Sequence, residues 1–155
     1  MTDVLDKLLT EAEEAANAPS MTGIAPYLCV RGAAAAIEFY KTAFLAEELE
    51  RYEWEGKLGH ATLRINNGLL MLADEFPEHE AEIGTVAPAS IDNRTTLSLN
   101  LYVEDADKWF DRAIEAGAST VRTCSDEFYG RHGKVRDPFG HVWSFVKLLP
   151  EHDRQ

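Results

Sequence analysis

The chain has 155 residues, 45% of them hydrophobic, which suits one domain large enough to bury a core. Its 27 acidic and 15 basic side chains leave a formal net charge of −12, a surface that repels nucleic acid and anionic membranes at long range, so neither is expected as a partner. No run reads as a membrane span, the start lacks a basic-then-apolar secretory pattern, and Cys29 and Cys124 form no CxxC or zinc spacing, so a cytoplasmic protein with two reduced thiols is expected.

Residues 1–20 carry Val4, Leu5, Leu8 and Leu9 at helical spacing, then Glu and Ala, then Asn17-Ala18-Pro19. That pattern predicts an amino-terminal helical extension; an acidic tail is the alternative reading. PYLCVRG, from Pro26, reads as a strand in which Ala25, Tyr27 and Cys29 alternate with Ile24, Leu28 and Val30, interrupted at Pro26. A helix follows, with Ala36, Ile37, Tyr40 and Phe44 on one stripe. HATLRINNGLLML, from His60, reads as strand, Asn-Asn-Gly turn and strand. Packing Ala61, Leu63 and Ile65 on the core puts His60, Thr62 and Arg64 on the opposite face. Glu75 to Arg94 is a polar connection with Pro77, Gly84, Pro88 and Asp92-Asn93, a length usually given to a flap or linker.

Beyond it, Leu97, Leu99, Leu101 and Val103 alternate with Ser98, Asn100 and Tyr102, so one face is apolar and the other polar. A second helical stripe is made by Trp109, Phe110, Ala113 and Ile114. FYGRHGKVRDPFGHVWSF, from Phe128, reads as two strands joined by Asp137-Pro138-Phe139-Gly140. Proline presets φ there, glycine tolerates a positive φ and the aspartate can bond the backbone. The second half thus repeats the first: PYLCVRG parallels LNLYVED, each precedes a helix, and each helix leads to a hairpin. Two strand-helix-strand-strand-strand modules are expected, module one over 22–75, a linker over 76–95 and module two over 96–148, in a domain of 22–150.

The duplicated order, with PYLCVRGAAAAIEFYKTAF, GHATLRI, LMLADE, the Tyr129-Gly130 pair and DPFGHVW, resembles the vicinal oxygen chelate superfamily. That superfamily includes glyoxalase I, bleomycin-resistance proteins, fosfomycin-resistance enzymes and extradiol dioxygenases, and the motifs are most similar to its PhnB-like branch. The resemblance, over Thr22 to Leu148, implies an α+β fold: two βαβββ modules forming a curved, half-closed mixed sheet with helices on the convex side. It also implies a cavity on the concave face, a linker near the pocket mouth and a homodimer.

Members commonly hold a divalent ion with His and Glu on the first and fourth strands of each module. The resemblance places those positions on Ala25, Ser98, Ser144 and either Met71 or Leu72, none of them an imidazole or a carboxylate. No metal and no cofactor is therefore expected. His60, with Arg64 and Glu53 or Glu55 near it, is the candidate catalytic residue, against a structural, hydrogen-bonded reading. His141 is expected to bond the turn, His132 to lie in a loop, and His79 and His152 to be solvated. Arg131 and Arg136 are read as surface ion pairs or anion contacts. No GxSxG, HExxH or phosphate-binding loop is present.

The leading expectation is a metal-free protein that sequesters a small molecule. Tyr27, Trp54, Tyr102, Phe128 and Tyr129 would form its aromatic cleft, with His60, Arg64, Ser98, Asn100 and Ser144 as polar lining. A planar or amphipathic ligand fits such walls, and the acidic surface favours a cationic one. The alternatives are a metal-dependent lyase, isomerase or dioxygenase with a non-standard ligand set, a His60-based acid-base enzyme, and a structural or regulatory subunit.

Overall fold

A computed structural model describes residues 23–154 and, ahead of them, Val4 and Thr10; the extension expected over 1–20 otherwise lies outside the described residues. Module one runs β1 (Tyr27–Val30), α1 (Ala33–Phe44), β2 (Glu47–Trp54), β3 (Lys57–Ile65) and β4 (Gly68–Asp74). The linker forms a 3₁₀ turn (Pro77–His79), α2 (Glu80–Ile83) and a second 3₁₀ turn (Pro88–Ile91). Module two runs β5 (Ser98–Tyr102), α3 (Ala106–Ala116), β6 (Ser119–Glu127), β7 (Gly130–Arg136) and β8 (Val142–Leu148). Both modules have the expected βαβββ order. Their strands form two separate four-stranded mixed sheets, ordered β1-β4-β3-β2 and β5-β8-β7-β6. No helix among the described residues is long and apolar enough to cross a membrane.

Period-two alternation decides which way each strand faces. Leu28 and Val30 on β1, Ala61, Leu63 and Ile65 on β3, and Leu70 and Leu72 on β4 are all buried. Trp143 and Phe145 do the same for β8. These side chains meet α1 and α3, whose buried stripes are Ala33, Ala36, Ile37, Tyr40, Ala43 and Phe44, and Ala106, Phe110 and Ala113.

The modules interlock through these helices. Phe44 of α1 lies with its ring centroid 4.4 Å from Trp143 and 5.8 Å from Phe145, both on the other module's β8. Arg112 of α3 lies over the Trp109 ring at 4.4 Å and donates from Nε to the Ala43 carbonyl at 2.8 Å, closing the end of α1.

Asp137 does more than close the Asp-Pro-Phe-Gly turn. Its Oδ1 accepts the backbone N–H of Phe139 (2.9 Å) and of His141 (3.0 Å), as turn chemistry requires. Its Oδ2 accepts Tyr40 Oη at 2.7 Å and Trp143 Nε1 at 2.9 Å, so the turn is pinned to α1 and β8 from inside the core. Burial, then the Asp137 charge and hydrogen bond, push the Tyr40 hydroxyl well above its ordinary pKa. Gly140 has φ +95°, and a Cβ there would lie 2.4 Å from Pro88 Cβ, so glycine also admits the linker against the turn.

Several expectations need correction. His132 is buried on β7 rather than in a loop, because the β6–β7 hairpin turns at Phe128-Tyr129. His141 bonds the turn as expected, its backbone N–H donating to Asp137 Oδ1, but its side chain also reaches across to module one, Nε2 3.0 Å from the Cys29 carbonyl. Arg131 pairs with Asp107 and Asp126 as expected, but Arg136 donates instead to the carbonyls of Asn93 and Gly140, both at 2.6 Å. His152 is exposed, but His79 is not merely solvated: its ring packs 4.7 Å from Trp54 and its Nε2 lies 3.2 Å from Glu55 Oε2.

Candidate functional site

On the first sheet, the face turned away from the helices carries Tyr27 and Cys29 of β1 beside Met71 and Ala73 of β4, their direct partners. His60, Thr62 and Arg64 of β3 continue it, with Thr62 paired to Met71 and to Glu50 of β2. The linker then folds over one end of this face. Glu75 fixes it there, accepting the Ala87 N–H at 3.0 Å, Ser90 Oγ at 2.8 Å and Arg31 Nη2 at 3.3 Å. Burial pushes the Glu75 carboxyl up, but the bonds from Ser90, Ala87 and Arg31 outweigh it and hold its pKa below the usual value.

The space enclosed is a cavity of about 390 Å³ walled by Tyr27, Cys29, Trp54, Phe76, Ile83 and Thr85, among others. Trp54 is held at its mouth by ring contacts with Phe76 and His79, both at 4.7 Å. Gly59 makes room for it: a Cβ there would lie 2.7 Å from Trp54 Cβ. Lys57 sits 4.4 Å above the Phe76 ring and donates to the Glu75 carbonyl at 2.7 Å, which seals the seam between β3 and the linker. Burial, then the Glu75 charge, push the Cys29 thiol up to about 11, so it is a wall residue rather than a nucleophile.

His60 lies behind Tyr27. The Tyr27 hydroxyl is 2.8 Å from His60 Nδ1, and the two rings are 5.4 Å apart. On the other side, His60 Nε2 is 3.0 Å from Thr62 Oγ1 and 3.3 Å from Glu50 Oε1. Thr62 and Tyr52 both donate to Glu50, at 2.9 and 3.2 Å, and these bonds hold its carboxyl pKa down. Burial raises the Tyr27 pKa. The carboxylate beside His60 is thus Glu50 rather than Glu53 or Glu55, and Arg64 is engaged by Glu47.

The remaining expected residues lie on the second sheet. Ser98, Asn100 and Tyr102 share the face turned away from the helices with Ser144, which is fully buried and pairs with Asn100 and Lys134. His132 lies on the same face, its Nδ1 2.6 Å from Tyr129 Oη and its Nε2 buried without a partner. Burial, then Arg122 and Lys134, lower the His132 pKa. Phe128 is 73% exposed at the hairpin tip and Tyr102 is 62% exposed. The aromatic side chains expected in one cleft are therefore divided, Tyr27 and Trp54 at the cavity and Tyr102, Phe128 and Tyr129 on the other sheet.

The first-sheet equivalent of Ser144 is Met71, because Tyr27 pairs with Met71 as Asn100 pairs with Ser144, while Leu72 is fully buried in the core. The positions at which the superfamily holds its ion thus present a methyl, a thioether and two hydroxyls. That donor set does not fit a divalent metal. Among the described residues, Glu55, Glu78 and His79 bring three donor atoms within 4.8 Å of one another, beside Trp54 and off the sheet face.

Comparison with known proteins places this architecture. The profile of the Glyoxalase/Bleomycin resistance protein/Dioxygenase superfamily matches residues 21–145. The chain belongs to that superfamily. An uncharacterised protein of Mycobacterium bovis is 44% identical over 130 residues, covering 83% of this chain and 84% of its own. The crystal structure of TioX from Micromonospora sp. ML1 superposes with a TM-score of 0.60 at 26% identity, over 83% of this chain and 99% of that one. A PhnB protein from Bacillus cereus shares the fold at a TM-score of 0.60 and 19% identity, over 81% of this chain and 99% of its own.

Sequence reasoning missed Glu50, Thr62 as its partner, and the linker residues Phe76, Ile83 and Thr85. The signals for the linker were its length and the resemblance, which put it near the pocket mouth without naming these residues.

Proposed function

We propose that this superfamily member binds a planar aromatic or amphipathic small molecule, preferably cationic, in the module-one cavity. The observation that supports the reading most is the cavity itself: about 390 Å³, with mainly apolar and aromatic walls and the Tyr27 hydroxyl as a placed polar group. Trp54, half-exposed and packed on Phe76, offers a ring for stacking, and the net charge of −12 draws cations toward the mouth. The misfit of the donor set at the superfamily's ion positions favours binding without metal over a metal-dependent lyase, isomerase or dioxygenase reaction.

We also propose a homodimer. β1 and β5 are sheet edges with one unpaired backbone side each, a feature that a second chain can cover. Sedimentation equilibrium at twice the chain mass is the expected result, and a monomer at 100 µM removes this part.

The binding reading is tested with proflavine, a planar aromatic cation, and 1-naphthalenesulfonate, an anion of similar shape. Proflavine raises the melting temperature, and Trp54→Ala reduces the rise at the same proflavine concentration. The anion gives a smaller shift. Equal response in wild type and Trp54→Ala overturns the reading.

A further inference from the structure

We infer that Tyr27, His60 and Glu50 form a proton relay that lets the cavity move a proton on its ligand. This rests on the reading that the cavity holds a small molecule and adds a reaction to it.

The hydrogen-bond partners fix the proton positions. Thr62 Oγ1 donates its proton to Glu50 at 2.9 Å, so its oxygen and the Glu50 carboxylate are both acceptors for His60 Nε2, at 3.0 and 3.3 Å. Nε2 therefore carries the hydrogen, and Nδ1 presents a lone pair. The donor facing that lone pair is the Tyr27 hydroxyl at 2.8 Å, closer than its other acceptor, the Gly59 carbonyl at 3.4 Å. Tyr27 is the one residue of the relay in the cavity wall, so a bound ligand would meet the relay at its side chain.

The order of groups is the order a proton relay needs. A ligand proton lying on Tyr27 Oη transfers to that oxygen while the tyrosine's own proton moves to His60 Nδ1. Tyr27 ends unchanged, the ligand becomes an anion, and the imidazolium stands beside the Glu50 carboxylate, which stabilises it. Returning the proton to a neighbouring ligand atom completes an isomerisation, with no oxidant, reductant or co-reactant. Tyr27 is the catalytic residue, His60 its proton acceptor, and Glu50 a positioning residue. The ligand class is a planar carbon acid, with an acidic C–H in or beside a conjugated ring. The second sheet lacks the device: Asn100 takes the place of Tyr27, and the Nε2 of His132 has no carboxylate partner.

The test uses 5-nitrobenzisoxazole, a planar probe whose ring C–H proton, once removed, is followed by N–O cleavage to a coloured cyanophenolate. Saturable turnover is expected, with kcat lower by roughly 100-fold or more in Tyr27→Phe and in His60→Gln. Probe affinity, read by the quenching of tryptophan fluorescence that is lost in Trp54→Phe, should change little in either. Glu50→Gln should lower kcat by roughly tenfold and displace the pH profile, and Glu50→Asp should partly restore both. Turnover unchanged in Tyr27→Phe overturns the relay. Quenching without turnover also overturns it and leaves the binding reading standing; no quenching by this probe or by proflavine overturns both. Nitrogen-15 NMR of His60 is independent of any ligand: a protonated Nε2 and bare Nδ1 are expected, and the opposite tautomer refutes the relay.

Discussion

The two sheets share a strand order and a buried side, yet their open faces have diverged. The first carries Glu47, Glu50, His60 and Tyr27 and is roofed at one end by the linker. The second carries Lys134, Arg136, Ser144 and Asn100, and meets the linker where Arg136 donates to the Asn93 carbonyl. The helix-side residues of both copies fill a shared core. The opposite faces carry different side chains, and the cavity roofed by the linker belongs to the first sheet. Four experiments break or sharpen that contrast.

The largest effect tests the shared core. Asp137→Ala leaves Tyr40 Oη and Trp143 Nε1 as buried donors without their acceptor and should cost about 3–5 kcal/mol in urea denaturation. At the corresponding turn of the first sheet, Asn67 has φ +70° and no such role, and Asn67→Ala should cost about 1 kcal/mol. Equal losses would contradict the asymmetry. Next, Trp54→Ala should weaken proflavine binding by about 2 kcal/mol in calorimetry, while Phe128→Ala, on the second sheet, leaves it unchanged.

A smaller effect concerns the roof. Glu75 has a folded-state pKa below its unfolded value, so its contribution is full above the unfolded value and is lost as pH falls through the folded one. Cavity affinity should therefore fall below about pH 4, the ordinary carboxylate range. Glu75→Gln should weaken binding at neutral pH and flatten that acid dependence, read by proflavine titration from pH 3 to 7. The smallest effect is chemical. Burial pushes both thiols up to about 11, so iodoacetamide should react slowly with Cys29 and Cys124 at pH 8, and proflavine should slow Cys29 alone.

The strands that pack on helices were legible in the sequence because one side of each is apolar. Period two placed Tyr27 opposite Leu28, and His60, Thr62 and Arg64 opposite Ala61, Leu63 and Ile65, as the structure has them. Glu50 was not legible. Its strand, EELERYEW, has no apolar alternation, and register shifts between Glu48 and Glu50 and between Tyr52 and Glu53 re-aim its side chains. The single aromatic cleft failed for a different reason. It rested on one curved, half-closed sheet with a shared concave face, whereas the strands form two separate sheets whose modules meet through Phe44 of α1 and Trp143 of β8. The linker's polar composition hid the few residues that turn inward, and the bonds of Glu75 that fold it down involve backbone that no pattern announces.

The most direct test of the central claim, one ligand site on the first module, is an amide NMR titration with proflavine. The account predicts saturable shifts confined to the cavity wall, at Tyr27, Cys29, Gly59, Phe76 and Thr85, with Ser98, Lys134 and Ser144 unmoved. Saturable shifts centred on the second sheet, or none on either, would contradict it.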